Sequence, residues 1–354
     1  MEPFNIVLQR LLNQRLAGKA LEKPDEVVRW LGAVQAQDYG AAKWALGLRL
    51  DNSTDDAVER AFTNGSILRT HMMRPTWHFV TPADIRWMLA LTAPRVHALN
   101  GTMYRKLELD SAVFSRSSAV LTAALRGGNP LTRDELRGVL ERAGSAAQGV
   151  ERMAYILMHA ELDALICSGP RRGKQFTYML LDECVPQARN LERGEALAEL
   201  VRRYFLSHGP ATVQDFVWWS GLTVADARTG LEMVKSELVE EGFGGKTFWF
   251  SPSAPPARDP APEACLLPNY DEYGSYQDRS AIFNPANTNR LVFNHFLAVA
   301  GQIAGTWQRT LTRRSVVVEI DTFVPLGEPE RQAAAEAAES YGAFLGLPVE
   351  LRLG

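Results

Sequence analysis

The chain has 354 residues, 46% hydrophobic and 22% charged, a balance that suits a globular protein with a large core spread over two to four compact units. A formal net charge of −3 argues against a general nucleic-acid coat, which is usually basic, so any DNA contact must rest on local clusters of Arg and Lys. No apolar run approaches the roughly 18 residues of a membrane-spanning helix.

The opening MEPFNIVLQRLLNQR has no cleavable apolar core, so the expectation is a cytoplasmic protein without membrane association. Ile6, Leu8, Leu11, Leu12 and Leu16 recur at helical spacing, and Pro24-Asp25-Glu26 starts a second helix with acids in its first turn. The segment SILRTHMMRPTWHFVTP, bounded by Gly65 and Pro82, is rich in β-formers and reads as a hairpin. Thr81-Pro82-Ala83-Asp84 then opens a further helix.

Gly127-Gly128-Asn129-Pro130 breaks the chain, and Thr132-x-x-Glu135 is a capping box. A helix through Met153 to Ala160 leads into LDALICS and QFTYMLL, two strand-like runs around a tip that carries Arg171, Arg172 and Lys174. Thr212-x-x-Asp215 and Thr223-x-x-Asp226 cap two consecutive helices, followed by a hairpin pattern around Gly244-Gly245. Helices followed by a short hairpin, three times over, is the winged-helix plan.

After a Pro-rich linker at 251–264, the runs ACLLP, AIFN, FLAVAGQIAGTWQRT and SVVVEIDTFVPL are β-like, EPERQAAAEAAESYGAFLGL is an Ala-rich helix and PVELRL a final strand. The expected fold class is therefore α+β: winged-helix units at 1–125, 126–188 and 189–250, then a small β-rich domain at 265–354. No long apolar helix face is left spare, which favours a monomer. The three cysteines, Cys167, Cys184 and Cys265, are widely spaced and read as buried thiols without disulfide or zinc.

The most informative residues are Gln35-Ala36-Gln37-Asp38, which close the apolar run VVRWLGAVQAQD. Two glutamines one residue apart point the same way on an extended backbone, whereas on a helix they diverge by roughly 200°. Residue type alone favours a plain solvated helix end, where Gln is common.

Together with HMMRPTWHFV and LLPNYDEYGSYQDRS, this segment resembles the AlkZ/YcaQ-like DNA glycosylases, and the resemblance runs over nearly the whole chain. Those enzymes consist of tandem winged-helix units and carry a Gln-x-Gln or Gln-x-Asp catalytic motif. The resemblance implies that Gln35 and Gln37 position the catalytic water. Gln in the second position places the chain nearer the AlkZ-like branch, associated with antibiotic self-resistance and the removal of bulky N7-guanine adducts and interstrand crosslinks. It implies a monofunctional enzyme acting on double-stranded DNA that carries alkylated guanine. A glutamine amide does not titrate near neutrality, so such a site needs a leaving group that is already good, and the cationic N7-alkylguanine is one.

Arg74, Thr76, Trp77 and His78 of the first hairpin are candidate DNA contacts, Arg74 to phosphate and Trp77 beside a base; a Trp packed under the hairpin is an equal reading. Arg171, Arg172 and Lys174 are either phosphate contacts or a solvated turn. Asp271 and Glu272, being adjacent, read as part of a structural network with Tyr and Arg279, and not as a glycosidase-type carboxylate pair; Arg279 is a further candidate on a DNA groove. Trp218 and Trp219 lie in a helix pattern and are expected in the core. No phosphate-binding glycine loop, zinc-protease or nucleophile-elbow motif is present, so neither metal nor cofactor is expected to take part. The rival classes are a winged-helix DNA-binding regulator and a protein that sequesters a genotoxic drug.

Overall fold

Residues 5–144, 149–252, 264–283 and 295–354 are described by a computed structural model of the protein. Within them one order of elements recurs: helix, short strand, two helices, hairpin. The first round runs through helices Ile6–Asn13 and Pro24–Leu31, strand Val34–Gln35, helices Tyr39–Gly47 and Asp55–Thr63, and the hairpin Leu68–Met72/Thr76–Val80. The second has helices Ile85–Lys106 and Ser111–Leu125, strand Leu131–Thr132, helices Arg133–Arg142 and Val150–Leu162, and the hairpin Ile166–Arg172/Gln175–Leu180. The third has helix Arg193–His208, the single bridging residue Ala211, helices Val213–Ser220 and Val224–Val234, and the hairpin Val239–Phe243/Lys246–Phe250.

The short strand preceding each helix pair is what the sequence pattern did not reveal. It pairs each time with the second strand of the hairpin: Val34 opposite Phe79, Leu131 opposite Tyr178 and Ala211 opposite Trp249. Two residues are too short to leave a period-2 signature.

The cap signals do what their chemistry dictates. Thr132, Thr212 and Thr223 each accept from the backbone N–H three residues on, with the acidic residue there reaching back, so three of the helices start where the capping boxes stand.

Strands Ala264–Leu267, His295–Val299, Gln302–Leu311, Val316–Thr322 and Val349–Leu353 form one sheet in the spatial order last, fourth, third, second, first. All neighbours are antiparallel except the pair Val316–Thr322 and Val349–Leu353, whose crossover is the helix Glu328–Leu345. The expected AIFN strand is instead a turn over Ala281–Phe283, closed by Ile282 N–H donating to the Arg279 carbonyl at 3.0 Å. The expected linker falls largely on 253–263, outside the described residues.

The architecture is a mixed α+β fold. One apolar core joins Val28, Leu31, Trp44 and Phe79 of the first round to Trp307, Val318 and Phe344 of the C-terminal sheet and helix. A second unites the helix Ile85–Lys106 with the third round through Trp87, Tyr204 and Trp219, and a third packs Ser111–Leu125 against the elements from 131 to 180. All three cysteines are free; Cys167 and Cys265 are buried and Cys184 is half-buried. Among the described residues no helix is long and apolar enough to cross a membrane.

Candidate active site

The helix Pro24–Leu31 stops because Gly32 takes φ +85°, and the next helix cannot begin until Asp38 caps it by accepting from the Ala41 N–H at 3.0 Å. Between these two signals the chain is extended. Gln35 sits opposite His78 in the ladder, and the Ala36 N–H donates to the Trp77 carbonyl at 2.7 Å. Ala36 therefore turns inward, 0% exposed, while Gln35 and Gln37 both face the wall of one cavity of about 520 Å³.

Beside the Gln35–Gln37 segment, three further parts of the chain wall that cavity, and strands His295–Val299 and Gln302–Leu311 add Phe296 and Ile303. The first hairpin contributes Arg74 and Thr76, the helix Val213–Ser220 contributes Trp218, and the segment after strand Ala264–Leu267 contributes Asn269, Tyr270, Ser275 and Arg279. The floor is apolar, with Leu267, Ile282 and Phe296. Trp219 is core, 1% exposed, but Trp218 is 50% exposed and faces the cavity, contrary to the expectation for both: one residue along a helix turns the side chain by about 100°, so adjacent Trp residues cannot share a buried face. The helix ends against the hairpin at Gly221, whose φ of +70° and missing Cβ allow the Met73 carbonyl to come close. That approach brings the Trp218 carbonyl within 3.1 Å of Arg74 Nη1.

Arg74 is the bridge of the site. Its Nη2 donates to Gln35 Oε1 at 3.0 Å while Nη1 holds Trp218. Gln37 Oε1 accepts from the Trp77 N–H at 3.4 Å. Both amides are thereby oriented, each with a further lone pair and an NH2 group still available. The Thr76 hydroxyl lines the cavity and has no hydrogen-bond partner within the described protein. Arg279 lines the cavity, its Nε donating to the Tyr276 carbonyl at 3.4 Å; burial lowers its pKa.

Beneath Gln35 lies an anion that sequence reasoning had placed in a structural network. Glu272 accepts from the Gln35 backbone N–H at 3.1 Å, from Trp219 Nε1 at 2.8 Å, and meets His208 Nε2 at 3.1 Å. Burial alone would raise its pKa, but the His208 hydrogen bond and charge, with the Gln35 N–H, bring it down to about 2. Its neighbour Asp271 forms a bidentate ion pair with the fully buried Arg49 at 2.8 and 2.9 Å. His78, behind Gln35, is driven down to about 3 by burial and by the Arg74 charge, so it is neutral at physiological pH and its Nδ1–H donates to the Thr76 carbonyl at 3.0 Å.

Other sequence candidates lie elsewhere. Trp77 turns away from the cavity, its ring 4.1 Å from His71 and under the Arg69 guanidinium at 4.2 Å, with Nε1 donating to Glu161 Oε1 at 3.4 Å. Arg171 donates to Glu59 at 3.2 Å and lies over the rings of Tyr39 and Phe176, and Arg172 donates to Glu135 at 2.7 Å and to the Pro130 carbonyl at 2.8 Å. Lys174 is exposed at the hairpin turn.

A family model described as "DNA glycosylase AlkZ-like" matches residues 28–344. The chain belongs to the AlkZ-like DNA glycosylase family. It is 26% identical, over 94% of both chains, to an interstrand DNA cross-link repair glycosylase of Streptomyces sahachiroi. The solved structure of the Streptomyces sahachiroi DNA glycosylase AlkZ superposes with a TM-score of 0.79 at 20% identity, covering 98% of each chain. The likeness to that structure supports the α+β fold over nearly the whole chain, and the family match spans the Gln pair and every residue lining the cavity.

Proposed function

We propose that the protein is a monofunctional DNA glycosylase that hydrolyses the N-glycosidic bond of bulky N7-alkylguanine adducts or crosslinks in double-stranded DNA, in repair or in self-resistance to a genotoxic natural product. The observation that carries this reading is that Gln35 and Gln37 face one cavity from a single extended segment, in a chain of this family.

The chemistry follows from what amides can and cannot do. Alkylation at N7 leaves the purine cationic. As the C1′–N9 bond breaks, its electron pair discharges that cation and the sugar becomes oxocarbenium-like. The carbonyl dipoles of Gln35 and Gln37 stabilise the developing positive charge and hold a water against C1′; the water's proton passes to solvent, because neither amide accepts it as a base. The products are the free alkylated base and an abasic site. Glu272 supplies a fixed negative charge behind Gln35, in a setting where preorganised charge acts strongly. Arg279 and Arg74 at the cavity suit phosphate or a lesion's acceptor atoms.

In this reading the three repeated helix–strand–helix–helix–hairpin rounds are winged helices, with a β-rich part at 265–354. The first boundary, expected at 125, is drawn ahead of Ile85, because the helix Ser111–Leu125 packs with the elements from 131 to 180; the second unit still ends at 188 and the third stays at 189–250. The hairpin tip around Lys174 is a duplex contact, and the chain acts as a monomer.

The test is release of free base from a duplex oligonucleotide carrying one N7-alkylguanine, followed by chromatography of the base and alkaline cleavage at the abasic site. Release of the base with an alkali-labile strand supports the reading. Tight binding to undamaged DNA with no release on small or bulky adducts replaces it with a DNA-binding regulator, and binding of the free alkylating compound alone replaces it with a sequestering protein.

A further inference from the structure

Two imidazoles and a carboxylate converge away from the cavity. His97, on the helix Ile85–Lys106, places Nε2 3.0 Å from Asp163 Oδ1. His159, one turn before Asp163 at the end of the helix Val150–Leu162, places Nδ1 3.1 Å from Oδ2. One ligand atom from each of the three residues lies within 4.8 Å of the others, and none of the three lines the cavity.

Both rings are held in place by their surroundings. The Tyr104 hydroxyl meets His97 Nδ1 at 2.9 Å and takes the Asn100 amide at 3.4 Å. Without an ion Nε2–H donates to Asp163; a cation replaces that proton, and the Tyr104 hydroxyl can then accept from Nδ1–H, the way a ligating imidazole is usually fixed from behind. The His159 ring lies nearly flat on Phe114, with centroids 3.6 Å apart and planes 19° apart.

We propose that His97, His159 and Asp163 bind one divalent transition ion, Zn²⁺ foremost, which ties the helix Ile85–Lys106 to the helix Val150–Leu162. Two nitrogens and one carboxylate suit a borderline cation, whereas Ca²⁺ and Mg²⁺ require shells of oxygen. Zinc bonds of about 2.0–2.1 Å in a tetrahedron put ligand atoms about 3.3 Å apart. The N–O separations here, 3.0 Å from His97 to Oδ1 and 3.1 Å from His159 to Oδ2, are close to that edge, and a rotation of the Asp163 carboxylate turns one oxygen toward an ion between the two rings. Asp163 is exposed and the two histidines partly so, which leaves an entry path and a fourth position for water. The role is structural: the two helices meet over a small apolar cluster of Ala93, Val96, Met158 and Leu162, and the ion clamps its rim.

The experiment is a calorimetric titration of Zn²⁺ into chelator-stripped full-length protein, with thermal midpoints and a parallel Co²⁺ titration read by visible absorption. The expected result is one equivalent of Zn²⁺, a raised midpoint, no response to Mg²⁺, and affinity weakened at least tenfold in both His97→Gln and Asp163→Asn. Absence of saturable zinc binding overturns the proposal, as does unchanged affinity in the two variants. Should a variant misfold, the wild-type Co²⁺ spectrum decides: the intense d–d bands of a four-coordinate site support the proposal, and the weak bands of an octahedral aquo ion overturn it. None of these readouts depends on base release, so the outcome is independent of the proposed reaction.

Discussion

The carboxylate of Glu272 accepts a hydrogen bond from the backbone N–H of Gln35 across 237 residues of sequence, and the same carboxylate meets Trp219 and His208. The glutamine pair is thereby anchored to the third repeated round and to the segment that leads into the C-terminal sheet. Removing this anchor has predictable consequences. Glu272→Ala leaves the Trp219 Nε1–H, the Gln35 N–H and His208 without their acceptor in a buried place, a loss on the order of 3–5 kcal/mol. Glu272→Gln keeps the shape and one acceptor oxygen and costs less. Urea unfolding of the three proteins checks the order wild type, Glu272→Gln, Glu272→Ala.

The same residue sets part of the acid limb of stability. Its pKa falls from an ordinary 4.5 to about 2 on folding. A group with a depressed native pKa contributes stability that is present above its unfolded value and is lost as pH falls through its folded value. Glu272 therefore stabilises the fold fully at neutral pH and loses that contribution progressively between about pH 4.5 and about pH 2. The stability gap between wild type and Glu272→Gln narrows across this window in urea unfolding at a series of pH values. A gap that stays constant removes Glu272 from the titration.

Arg74 holds Gln35 Oε1 with one nitrogen and the Trp218 carbonyl with the other. A lysine cannot offer two diverging N–H groups in a plane. Arg74→Lys and Arg74→Ala are both expected to slow single-turnover base release by about tenfold or more, less than the roughly 10²–10³ lost when a charge-stabilising group is itself removed, because Arg74 orients Gln35. Full activity in Arg74→Lys would show that only the positive charge matters.

The basic tip of the second hairpin divides into different roles. Arg171 is bound to Glu59 and lies over the rings of Tyr39 and Phe176, so Arg171→Ala is expected to lower stability by about 1–2 kcal/mol in thermal melts. Lys174 is exposed, and Lys174→Ala is expected to leave stability unchanged while reducing the salt dependence of DNA binding by about one unit of slope.

These predictions also show where the sequence is readable and where it stops. Capping boxes at Thr132, Thr212 and Thr223, and the glycines at 244 and 245, are local signals, and the helices and hairpin they announce are present. The glutamine pair is only half legible: residue type alone favours a solvated helix end, and the extended backbone that turns both side chains one way is fixed by pairing with the hairpin between Gly32 and Asp38. What long-range packing decides is not legible. Arg171 and Arg172 look like free cations until Glu59 and Glu135 arrive from other helices. Nothing near Asp271 or Glu272 in the sequence names Arg49, His208 or Gln35 as partners. Trp218 and Trp219 look alike as neighbours, and only the direction of the helix against the hairpin separates the cavity wall from the core.

The most direct test compares wild type with Gln35→Ala/Gln37→Ala on a duplex carrying one N7-alkylguanine, measuring single-turnover base release and DNA affinity together. Both side chains are at the cavity surface and neither is core, so the variant is expected to fold and to bind DNA as wild type does. Its release rate is expected to fall by at least about 10²-fold, as when one preorganised polar group is removed from a reacting centre. Base release at the wild-type rate by the double variant would contradict the account and place the chemistry elsewhere in the chain.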